Sequence, residues 1–73
     1  MKKLYYQCTL VKDTATKTAW IESRGAYLDK QVELLPSHEF WTVTKVGNSM
    51  PEDMLRQHQR DNRKSFASIE SIA

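Results

Sequence analysis

Seventy-three residues with eleven Lys and Arg against nine Asp and Glu carry a net charge of +2, and two Trp, two Phe and three Tyr supply the large apolar surfaces of one modest core. A chain of this size cannot divide that core, so a single domain is expected. The near balance of charge excludes a uniformly basic nucleic-acid binder, and Cys8 as the lone cysteine excludes an intrachain disulfide frame.

From the N-terminus, "KLYYQCTLV" alternates, with Leu4, Tyr6, Cys8 and Leu10 on one strand face and Tyr5, Gln7, Thr9 and Val11 on the other. "DTAT" supplies turn residues before "KTAWIE", a second strand that sets Trp20 opposite Ala19 and Ile21, so the pair predicts a hairpin. "SRGAYLDK" reads as a turn at Gly25 with a short irregular helix, and "QVELL" as a strand with Val32 and Leu34 on one face, ended by Pro36. "EFWTVTKV" predicts a fourth strand that packs Phe40, Trp41 and Val43, with a turn at Gly47 and Asn48. Four short strands predict an α+β, mainly β fold: an antiparallel four-stranded meander or SH3-like partial barrel with one short C-terminal helix. An open sheet covered by that helix is the rival arrangement.

The helix is announced by Ser49 and Glu52 as a capping box, with Pro51 in the first turn and Glu52 and Asp53 at the positive end of its dipole. Met50, Met54, Leu55 and His58 form its docking side, and Arg56, Gln59 and Arg60 its solvent side. "RDNRKSFASIESIA" has no clear cap and little core-forming surface, which divides the chain into a domain over 1–60 and a flexible tail over 61–73. Phe66, Ile69 and Ile72 recur at helical spacing, so the tail either folds as a short amphipathic helix in a partner's groove or lies back on the sheet.

No constellation for catalysis stands out. Cys8 between apolar neighbours reads as a structural thiol, His38 and His58 belong to no metal motif, and the two glycines build no phosphate-cradling loop, so no enzyme activity, metal or cofactor is expected. No apolar run is long enough to cross a bilayer, and the expectation is a soluble, cytoplasmic monomer without a membrane partner. The partner-binding candidates are Arg56, Arg60, Arg63 and Lys64, a local basic cluster able to meet an acidic protein surface or phosphates, with Phe66 and Ile69 as apolar anchors and Tyr5 as the best exposed aromatic. An ordinary solvated face accounts for the same charges, and core packing for most of the aromatic rings.

"TAWIES", "KQVELL", "FWTVTKVG" and the polar basic tail together resemble small regulatory proteins of tailed bacteriophages. In length and layout the chain is most similar to the RNA polymerase-binding antitermination protein of lytic Xanthomonas phages. That resemblance covers most of the chain and implies a non-enzymatic transcription regulator in the host bacterial cytoplasm. It would bind host RNA polymerase, chiefly the β′ subunit, with the elongation factor NusA as a co-partner, inhibit initiation and promote antitermination. No contact residue is carried over from it. The alternatives are a small β module that binds nucleic acid directly and an anti-defence inhibitor of a bacterial nuclease.

Overall fold

Alternation along β1 (Leu4–Lys12) puts Tyr6, Cys8 and Leu10 on one face and Tyr5, Gln7 and Thr9 on the other, and each face is covered by different parts of the chain. The computed structural model describes residues 3–61 and 67–73. β2 (Ala15–Glu22) returns antiparallel to β1, with Tyr6 opposite Ile21 and Cys8 opposite Ala19, as the expected hairpin. Asp13, at the tip, takes a φ of 55°, a left-handed conformation that Asp tolerates better than most side chains. A short 3₁₀ turn at Ser23–Gly25 leads toward β3 (Gln31–Leu35), and β4 (Glu39–Pro51) pairs antiparallel with both β3 and β1.

The long fourth strand bends because it carries extra residues. Between Tyr6 and Cys8 the facing residues on β4 run from Ser49 to Val46, and between Thr9 and Leu10 from Lys45 to Val43, so each step inserts one residue into β4. Such bulges increase twist and curl a sheet, and this one forms a half-barrel. The turn expected at Gly47 and Asn48 is absent, since β4 continues through both. Gly47 instead gives close approach, since a Cβ there would lie a tight 3.1 Å from the Gln7 carbonyl oxygen.

The mainly β character agrees with the sequence reading, and among the described residues there is one α-helix, but the sheet has six strands there, in the order β5-β2-β1-β4-β3-β6, with β5 at Ser68–Ile69 and β6 at Ser71–Ile72. Even the four long strands, in the order β2-β1-β4-β3, are not a meander, because the chain crosses from β2 to β3 without pairing them and β4 comes back to β1. Helix α1 (Glu52–Asp61) starts later than the expected capping box: Ser49 is still in strand opposite Tyr6, and the Glu52 N–H donates to the Lys3 carbonyl at 2.9 Å.

Residues 67–73, part of the tail expected over 61–73, lie back on the sheet and pair with both of its edges. β5 runs parallel to β2, with Ile69 opposite Trp20, and β6 runs antiparallel to β3, with Ile72 opposite Leu34. This strap, residues 67–73, thus passes from one edge of the sheet to the other. The Glu70 N–H donates to the Trp20 carbonyl at 3.1 Å and the Ala73 N–H to the Glu33 carbonyl at 3.0 Å, which satisfies backbone groups on both edges.

The curl separates two apolar clusters. Inside lie Cys8, Leu10, Ile21, Leu34, Trp41 and Val43, joined by Ile72 from the strap. Outside, Tyr5, Trp20 and Leu55 pack together with Met50, Ala67 and Ile69 around them. Both tryptophans are therefore core residues, whereas Phe40 is 52 % exposed, because alternation sets it opposite Trp41.

Candidate functional site

One side chain carries the docking of α1. Leu55 is fully buried against the outer cluster, while the other residues of the helix are half-buried or exposed. Of the expected docking side, Met50 lies in β4 instead, Met54 is 50 % exposed and His58 faces outward. The helix consequently presents most of its circumference to any partner.

Arg56 and Arg60 stand on this exposed surface one turn apart. Glu52 Oε1 accepts from Arg56 Nε at 3.1 Å and lies 3.1 Å from Nη2, an i,i+4 pair in the favourable orientation with the acid toward the N-terminus. Such a surface pair is worth only about 0.3–0.5 kcal/mol. It holds Arg56 along the helix yet yields readily to a stronger carboxylate.

The remaining candidates divide three ways. Arg63, Lys64 and Phe66 lie outside the described residues. Ile69 is half-buried in β5 and packs on the outer cluster, so it anchors the strap to the sheet. Tyr5, expected to be exposed, is 8 % exposed, because α1 and the strap cover the sheet face to which its alternation assigns it. Among the described residues the exposed aromatics are instead Tyr27, at 60 %, and Phe40. Phe40 borders a cleft of about 280 Å³ shared with Arg24, Lys30, Glu33 and Ile72.

Arg24, which no pattern in the sequence singles out, directs its guanidinium at three acceptors. Its Nε donates to Glu22 Oε1 at 2.7 Å, Nη1 to the Ala73 carbonyl at 3.0 Å and Nη2 to the Ile72 carbonyl at 2.8 Å. The hydrogen bond from Arg24, helped by nearby Lys3, holds the Glu22 carboxyl below the usual carboxylate range. On the strap's other side Lys17 sits 4.7 Å from the centroid of the Trp41 ring and 3.3 Å from Glu70 Oε1.

A depressed glutamate pKa stabilises the fold fully above its ordinary value of about 4.3 and loses that contribution as pH falls through the lower folded value. Acidification into that window is expected to lower the melting temperature of the native chain more than that of Glu22→Gln, which has no proton to take up there. Equal acid sensitivity in thermal melts of the two proteins would show that the Glu22–Arg24 pair does not hold the fold.

Lys3 and Lys12 are matched to carboxylates in the same way. Lys3 lies 3.5 Å from Glu22, and Lys12 lies 2.7 Å from Glu39, whose carboxyl it holds below the usual range. Each such pairing neutralises a lysine that would otherwise be open to a phosphate. Cys8 is buried in the inner cluster, and burial pushes its thiol pKa up, away from the thiolate that nucleophilic or metal chemistry needs. Among the described residues no group of three His, Cys, Asp or Glu side chains is placed to hold a metal ion, and no helix is long and apolar enough to cross a membrane. In comparisons with known proteins, no family model, no curated protein and no solved structure matches the chain.

Proposed function

We propose that the chain is a phage-encoded, non-enzymatic transcription regulator that binds host bacterial RNA polymerase in the cytoplasm, chiefly through the β′ subunit and with NusA as co-partner. In this reading it inhibits initiation and promotes antitermination. The observation that supports it best is α1, a helix tied to the sheet by Leu55 that offers Arg56 and Arg60, one turn apart, on one accessible surface. Two exposed arginines one turn apart, with carboxylate-matching guanidinium forks, suit the acidic surface of a protein partner. The curled sheet, a partial barrel of SH3-like kind, is then the rigid frame that holds the helix in place.

Such a regulator needs no chemistry of its own. It shifts transcription by binding initiating and elongating polymerase with different affinity, since equal binding to both states shifts nothing. The double charge reversal Arg56→Glu/Arg60→Glu is expected to weaken polymerase capture from nuclease-treated bacterial lysate by at least about tenfold, roughly 1.4 kcal/mol. Its melting temperature should stay near that of the native chain, because both side chains are exposed. Undiminished capture would remove α1 from the interface. Binding of purified RNA or DNA that falls steeply with salt would favour the direct nucleic-acid module, and recovery of a nuclease in place of polymerase the anti-defence reading.

A further inference from the structure

The strap meets its two edges through two-residue pairings, Ser68–Ile69 on β2 and Ser71–Ile72 on β3, yet it sits in a receptacle with matched features. Ile69 packs on the outer face and Ile72 enters the inner core, so the edges accept two apolar side chains three residues apart on opposite faces of the sheet. Glu70, between them, meets Lys17. Arg24 receives the carbonyls of Ile72 and Ala73. Gly25 leaves the hole for Ile72: a Cβ there would stand 2.5 Å from Ile72 Cδ1. Apart from the strap's own residues, these features all belong to the sheet and the turn after β2.

We propose that these edges form a binding site for an extended protein segment of the pattern Ile-Glu-x-Ile, and that residues 69–72 occupy it as a displaceable internal ligand. A partner segment adds to the β2 and β3 edges by strand pairing, the recognition mode in which backbone bonds give affinity and side-chain pockets give specificity. The strap sets the threshold for entry. As part of the same chain it competes at an effective concentration in about the millimolar range, so a partner must either bind better than the strap or meet a chain whose strap is weakened. The site stands whether or not RNA polymerase is the partner.

The test titrates a fluorescent peptide of residues 67–73 into three full-length proteins: native, Ile72→Ala, and Gly25→Ala/Ile72→Ala. Ile72→Ala weakens the internal ligand and leaves the receptacle intact, so it is expected to bind the peptide at least tenfold more tightly than the native chain. In the double variant the new methyl group at position 25 takes up part of the space vacated by Ile72, at the place of its Cδ1, and shuts out the peptide's isoleucine, so the gain should disappear. A peptide with Glu70→Lys should bind Ile72→Ala several-fold more weakly, through repulsion by Lys17. In the native chain the Glu70 and Ala73 amides should exchange with solvent much faster than those of central strand β1. Folded Ile72→Ala that binds no better than native protein overturns the proposal. So does Ile72→Ala that fails to fold, or strap amides as protected as those of β1, because each would make the strap a fixed part of the core.

Discussion

Trp20→Ala is expected to lower the unfolding free energy by about 3–5 kcal/mol, much of the roughly 4–11 kcal/mol typical of 73 residues. The indole is 4 % exposed on the outer face of β2, where it packs with Tyr5 and Leu55. Ile69 lies opposite it in β5, and its backbone carbonyl accepts the Glu70 N–H. One truncation therefore opens a cavity under the helix and under the strap together. The matching control is Phe40→Ala: at 52 % exposure, the lost ring should change stability by no more than about 0.5 kcal/mol. Urea unfolding distinguishes them, with a lower midpoint at similar slope for Trp20→Ala and little change for Phe40→Ala. A Trp20 variant within about 1 kcal/mol of the native chain would mean that the outer cluster is not a second core.

Much of this arrangement is legible residue by residue, and the exceptions share a cause. Period-two alternation correctly separates Leu10 from Tyr5 and Trp20 from Ile21, because a pleated strand fixes side-chain direction locally. It says nothing about what covers the second face. Tyr5, beside polar Gln7 and Thr9, looks solvent-facing until α1 and the strap are placed over it. Phe66, Ile69 and Ile72 fit a helical period, but β5 and β6 answer to two open sheet edges that exist only after β2 and β3 have formed elsewhere in the chain. Gly47 similarly reads as a turn because the need for a bulge arises only from β1–β4 register. The candidate site follows the same division. Arg56 and Arg60 are found from helical spacing alone, whereas Arg24 acquires its role from carbonyls 48 and 49 residues away.

Leu55→Ala is expected to cost about 2–5 kcal/mol as a buried truncation, but the loss should fall unevenly. Leu55 is the buried residue of α1, and a ten-residue helix is too short to persist in water without packing. The sheet keeps its inner cluster of Leu10, Ile21, Leu34 and Val43, none of which Leu55 joins. The helix should therefore undock and melt below the temperature at which the sheet unfolds. Amide exchange along 52–61 would rise sharply while β1 stays protected, and Trp20 emission would shift to the red as its cover leaves. Leu55→Met, which conserves volume, should restore most of the protection at a cost below about 1.5 kcal/mol. Partner binding then separates position from charge: Leu55→Ala keeps both arginines but must order them on binding, so its affinity should fall and recover in Leu55→Met. Full affinity in Leu55→Ala, with α1 unprotected, would show that the partner reads the arginines without needing the helix.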